Sequence, residues 1–121
     1  MFTEAFPMIT VSDLPETVSF YRDLLGFRPT YQFPPEGAPV FVTLRLGTSE
    51  LGLGSGDADG PAAGYALCVY ADDCDQAVAK LRTAGTPVVE EPSDTPWGER
   101  MARVTDPAGN QVVIVARDQN S

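Results

Sequence analysis

The sequence predicts an α+β fold built from two copies of one β-α-β-β-β unit. Three observations predict it: a capped amphipathic helix pattern occurs twice, at a shift of 60 residues; period-two apolar segments flank each copy; and turn-forming residues close a hairpin at the end of each. Internal repetition of this kind makes a half too small to bury a core alone, so the halves are expected to share one sheet or to pair with halves of a second chain.

The first unit opens with Phe6-Pro7-Met8-Ile9-Thr10-Val11, which reads as a strand. Its helix starts at Asp13, an N-cap residue with Glu16 three positions on, and continues through Val18, Tyr21 and Leu24. Gly26 ends it, in the position that favours a left-handed backbone. A weak strand follows from Arg28 to Phe33. The hairpin runs from Phe41 to Leu46, turns through Gly47-Thr48-Ser49 and returns from Glu50 to Gly54.

The second unit repeats this order. Ala66-Leu67-Cys68-Val69-Tyr70-Ala71 is the strand, and Asp73 and Gln76 form the capping pair. Val78, Leu81 and Ala84 are the apolar stripe, and Gly85 is the stop. A weak strand spans Pro87 to Glu90. The closing hairpin runs from Met101 to Thr105 and from Gln111 to Ala116, around Asp106-Pro107-Ala108-Gly109-Asn110, where Asp106 shapes the turn. Residues 55–64 are a linker by composition, between modules 1–54 and 65–121 of a single domain, 1–121.

Alternation assigns the two faces of the strands. The uniformly apolar set faces the helices: Ile9, Val11, Val42, Leu44, Leu46, Leu51, Leu53, Leu67, Val69, Ala102, Val104, Val112 and Ile114. The opposite set is mixed. It holds Phe6, Met8, Thr10, Phe41, Thr43, Arg45, Glu50, Gly52 and Gly54 from the first half. From the second it holds Ala66, Cys68, Tyr70, Met101, Arg103, Thr105, Gln111, Val113 and Val115. Aromatics, methionines, small residues and two arginines suit a lined concavity. The same side chains also suit a dimer contact, and Arg45 is placed to pair with Glu50 across its hairpin.

Seventeen acidic residues against eight basic ones leave a net charge of −9, which argues against nucleic acid and anionic membrane as partners. No apolar run approaches the roughly 18 residues of a membrane span. Met1-Phe2-Thr3-Glu4 has no signal-peptide character, so a cytoplasmic product is expected. Cys68 and Cys74 form no disulfide framework, and with no histidine in the chain they suggest no zinc site; one buried and one half-exposed thiol are expected. Cys68, though on the mixed face, has no activating base.

The segments Val11-Ser12-Asp13-Leu14 and Phe20-Tyr21-Arg22-Asp23-Leu24-Leu25-Gly26-Phe27 resemble the first half of the vicinal-oxygen-chelate superfamily. Pro96-Trp97-Gly98-Glu99-Arg100 with Asp106-Pro107-Ala108-Gly109-Asn110 resembles the second half. The superfamily holds glyoxalase I, extradiol dioxygenases, fosfomycin-resistance enzymes and bleomycin-resistance proteins. The resemblance implies paired modules forming a cup-shaped mixed sheet with helices on the outer face, in a homodimer. It also implies four metal-ligand positions, which here hold Phe6, Gly52, Ala66 and Val113. None is a metal donor, so no metal and no cofactor is expected.

That departure turns the reading toward the members that bind. Bleomycin-resistance proteins are acidic dimers that hold a cationic, aromatic-rich drug, and this chain is similar to them in size, acidity and its Pro96-Trp97-Gly98 loop. The expected function is metal-independent binding of an aromatic small molecule, with antibiotic resistance by sequestration as its use. The expected ligand-binding residues are Phe6, Met8, Phe41, Arg45, Glu50, Tyr70, Trp97, Met101, Arg103 and Val113. Tyr31, Phe33 and Tyr65 add aromatic surface; Glu90, Glu91, Asp94, Glu99, Asp57 and Asp59 add acid. The two arginines instead suit a carboxylate or phenolate, so the ligand's charge stays open. The alternative is a lyase, isomerase or dioxygenase with an atypical site, for which Glu50 and Tyr70 would be the acid–base groups. A third reading has the mixed face bind another protein chain.

Overall fold

The computed structural model describes residues 5–57 and 65–117. Most of the expected linker, with Asp59, lies outside the described residues. The chain divides into two compact units, Met1–Asp59 and Gly60–Ser121. The strands form two four-stranded mixed sheets, one in each unit, in the α+β arrangement of two repeated modules expected from sequence.

In the first unit the elements are β1 (Met8–Val11), α1 (Leu14–Ser19) with a π-helical continuation (Phe20–Leu24), β2 (Arg28–Phe33), β3 (Phe41–Leu46) and β4 (Ser49–Ser55). The sheet order is β1-β4-β3-β2, with β1 parallel to β4 and the other pairs antiparallel. Asp13 caps α1 by accepting the Glu16 N–H at 3.1 Å, and the Thr17 hydroxyl donates to the Asp13 carbonyl at 2.8 Å. The helix is wider at its end than its second-unit counterpart, and the reason is arithmetic. Thirteen positions separate Asp13 from Gly26, and twelve separate Asp73 from Gly85. The extra residue is absorbed by the π turn. The buried helical residues are therefore Leu14, Thr17, Phe20 and Tyr21, while the expected Val18 and Leu24 are only half-buried. Tyr21 sits edge-on to Phe20 and Phe27, with ring centroids 5.0 and 5.6 Å away.

In the second unit the elements are β5 (Ala66–Tyr70), α2 (Cys74–Thr83), β6 (Val88–Asp94), β7 (Glu99–Thr105) and β8 (Gln111–Arg117). The order β5-β8-β7-β6 repeats that of the first sheet, with β5 parallel to β8. Asp73 caps α2 through the Gln76 N–H at 3.0 Å. The far end closes on a paired-bond stop: Thr86 N–H donates to Leu81 and Gly85 N–H to Arg82, at 2.9 and 3.0 Å. Gly85 has φ +91°, so an L side chain there is strained. Cys74, Val78 and Leu81 are the buried stripe, and Ala84 is exposed as the C-cap.

The apolar face is buried as alternation requires at Ile9, Val11, Val42, Leu44, Leu51, Leu53, Ala102, Val104, Val112 and Ile114. Each valine, leucine or isoleucine among them contributes about 1.5–3 kcal/mol. Leu67 and Val69 are only half-buried, because α2 packs over β6, β7 and β8 and leaves the edge strand β5 less covered. No helix among the described residues is long and apolar enough to cross a membrane.

Candidate functional site

The face of the first sheet that lies opposite its apolar core is laid out by register. Met8 and Thr43 both stand beside Gly52, and Arg45 stands opposite Glu50. A Cβ built on Gly52 would meet Met8 Cγ at 2.8 Å, Phe6 Cε2 at 3.2 Å and Phe41 Cε1 at 3.3 Å. Three of the expected site residues therefore converge over one glycine, which they bury. Beside them the Tyr31 ring lies 6.2 Å from that of Phe41. A register shift at Pro29/Tyr31 sets both Thr30 and Tyr31 against Thr43, and the two threonine hydroxyls are 2.8 Å apart. Met8, Tyr31 and Phe33 remain more than half exposed and Phe6 is 43% exposed, so this is an apolar surface open to a partner.

Arg45 and Glu50 end the same face. Their nearest atoms, Nη2 and Oε1, are 3.6 Å apart, as expected from their positions across the hairpin. With Ala5, Pro7, Thr48 and Ser49 they line a cleft of about 580 Å³.

The second sheet presents Cys68 beside Val113, and Tyr70 and Met101 beside Val115. Tyr70 is exposed, and the Arg117 guanidinium lies over its ring at 4.5 Å from the centroid. Arg103 is held on two sides: Nε lies 2.8 Å from Glu90 Oε1, and Nη1 donates to Gln111 Oε1 at 3.0 Å. Met101 is half-buried. Val113 lies deeper than the other expected contacts. It is 3% exposed, as is Val115, because β8 is an inner strand whose valines are flanked by the larger Tyr70, Met101 and Arg103.

Trp97 is 66% exposed, and its indole N–H donates to Glu99 Oε1 at 2.8 Å. The other acids near this loop have partners too. Asp94 lies 3.3 Å from Arg100, and Glu91 pairs with Arg82 of α2. Asp106 accepts the N–H groups of Ala108 and Asn110 at 3.0 and 2.8 Å, so it shapes its turn as expected. Cys68 is exposed and Cys74 buried; burial pushes the Cys74 thiol pKa up, which suits a packing thiol, and its Sγ lies 3.6 Å from the Ile114 carbonyl.

Sequence reasoning misses one feature. A cleft of about 460 Å³ opens at the start of α2, lined by Asp72, Asp73, Asp75, Asp94, Glu99, Arg100 and Arg117 among others. Arg100 spans it to Asp75 at 3.2 Å, and that hydrogen bond is the main reason the Arg100 pKa is raised. The run Asp72-Asp73-Cys74-Asp75 is its visible part in the sequence; strand pairing supplies the rest.

The chain matches the family model of the Glyoxalase/Bleomycin resistance protein/Dioxygenase superfamily over residues 5–114. Among solved structures it is similar to a lactoylglutathione lyase from Agrobacterium tumefaciens, at 26% identity and TM-score 0.72, covering 94% of this chain and 93% of that one. It is also similar to TioX from Micromonospora sp. ML1, at 21% identity and TM-score 0.76, covering 94% and 95%. A superfamily member from Sphaerobacter thermophilus is 24% identical with TM-score 0.74, covering 95% and 98%. These last two likenesses are of fold. No curated protein matches.

Proposed function

Because the chain belongs to the glyoxalase/bleomycin resistance protein/dioxygenase superfamily, we propose that it is a metal-independent binding protein for an aromatic small molecule, and that it protects by sequestration. The observation that carries this reading is the convergence of Phe6, Met8 and Phe41 over Gly52, with Tyr31 beside them. Aromatic rings and a thioether offer stacking worth about 0.5–1.5 kcal/mol per ring pair beyond buried area, without fixing a reaction.

The metal that the superfamily resemblance implies does not fit these residues. Phe6, Gly52, Ala66 and Val113 bring no donor atom, and the space beside Gly52 is taken by three apolar side chains. Among the described residues no group of three or more His, Cys, Asp or Glu is placed to hold a metal ion.

Titration of the purified protein with bleomycin-like and other aromatic natural products, followed by Trp97 fluorescence and calorimetry, tests the reading. Saturable binding that Phe41→Ala weakens roughly tenfold supports it. No binding across a broad panel sinks it. The reading includes a homodimer, which light scattering of the eluted protein checks.

A second reading, a lyase, isomerase or dioxygenase, draws on the likeness to the lactoylglutathione lyase. Elemental analysis separates the two. Stoichiometric nickel, zinc, iron or manganese would favour the enzyme.

A further inference from the structure

The arginines on the two mixed faces decide the charge of what can bind there. An unpaired guanidinium on a ligand face recruits carboxylate, phenolate or sulfonate oxygens. Here the chain supplies its own carboxylate to each. Arg45 Nη2 is 3.6 Å from Glu50, its direct cross-strand partner. Arg103 Nε is 2.8 Å from Glu90, likewise its direct cross-strand partner, and Gln111 takes a second donor at 3.0 Å. The two pairs are not one pair copied by the repeat. Glu50 lies on the strand that follows Arg45, and Glu90 on the strand that precedes Arg103.

Resting on the aromatic-binding reading, we infer that Glu50 on the first unit's mixed face and Glu90 on the second's are specificity residues, each turning anionic ligands away from the face that carries it, so the aromatic molecule taken by either face is uncharged or cationic. An anion that reaches either arginine must displace a glutamate and then lie beside it, within the field of a chain of net charge −9. An uncharged ring meets neither obstacle. It can use the aliphatic stems of the arginines as apolar surface, because pairing cancels the charge while leaving the stem in place. Both pairs are partly exposed, so the effect is selective rather than absolute.

A matched pair of dyes tests this. N-phenyl-1-naphthylamine is uncharged, and 1-anilinonaphthalene-8-sulfonate is the same ring system carrying a sulfonate. Both are titrated by fluorescence against the wild-type protein, E50Q, E90Q, E50Q/E90Q and, as a charge control, Glu16→Gln on α1. The wild type is expected to bind the uncharged dye about tenfold more tightly. At least one of E50Q and E90Q should raise sulfonate affinity relative to that for the uncharged dye roughly threefold to tenfold, and lose that relative gain near 1 M salt. Glu16→Gln should change neither dye. Equal affinity of the wild type for both dyes, or a sulfonate gain no larger than that of Glu16→Gln, overturns the inference and leaves aromatic binding standing. Failure of both dyes to bind any variant overturns aromatic binding and this inference with it.

Discussion

Tyr65 carries the clearest single-residue consequence. Its hydroxyl is buried without a hydrogen-bond partner among the described residues, and its pKa is pushed up to about 12, first by burial and then by the nearby Asp106 charge. A phenol whose folded pKa is raised contributes stability that is complete below its unfolded value, near 10, and is lost as pH rises from there through the folded value. Absorbance titration of the phenolates should therefore show a component near pH 12 that Tyr65→Phe removes. At neutral pH that substitution should be neutral or stabilising by up to about 1 kcal/mol in urea unfolding, since it deletes an unsatisfied donor. Gly52 makes the opposite case. Ala there puts a methyl 2.8 Å from Met8 Cγ, so Gly52→Ala should cost about 1–2 kcal/mol. A double-mutant cycle with Met8→Ala should recover at least about 0.5 kcal/mol of it. At this scale the sequence is informative where the chemistry is local. The Asp106 turn, the Arg45–Glu50 pair and the buried Cys74 are as expected, while Cys68 is exposed rather than half-exposed. Val113 is not legible, because its burial depends on what stands beside it in neighbouring strands.

Local signals specify most of the elements, and these signals are strong. Both helix caps, both stop glycines and the bounds of β2 and β3 follow from residue type and alternation. The caps should have measurable weight. Asp73→Ala leaves the Gln76 N–H without its acceptor and should lower stability by about 1 kcal/mol, with Asp73→Asn restoring most of it in the same unfolding assay. The π turn is legible in principle. The unequal cap-to-glycine intervals announce one surplus residue, but a 3.6-residue template cannot accept it, and so the expected stripe runs through Val18 rather than Thr17. The pairing of Arg103 with Glu90 is hidden for another reason. β6 shifts register twice against β7, at Val88/Glu90 and Glu90/Ser93, and simple alternation cannot be carried across such irregularities.

On the scale of the whole chain, charge outweighs the other surface effects. A net charge of −9 on 121 residues opposes compaction by self-repulsion. The exposed ion pairs Arg82–Glu91 and Arg22–Asp23 offer little to offset it. Added sodium chloride screens the repulsion more than it costs these pairs, so the melting temperature should rise by about 2–5 °C between low salt and roughly 0.5 M. A fall would mean that the surface pairs outweigh the repulsion. The repeat makes the fold legible because it doubles every local signal. The acidic cleft at the start of α2 is not legible, since its walls come from segments as far apart in the chain as Asp72 and Arg117.

The contact between Gly52 and Met8 also bears on how such a protein can change over generations. Any side chain gained at position 52 meets Met8, Phe6 and Phe41 before it meets a ligand. A carboxylate there obliges Met8 to shift, so the change comes at lower cost once position 8 has become smaller, and the order of substitutions matters. The aromatic lining thus works as a ratchet. It holds the chain in its present chemical character through packing, whatever advantage a different residue at that one position would bring.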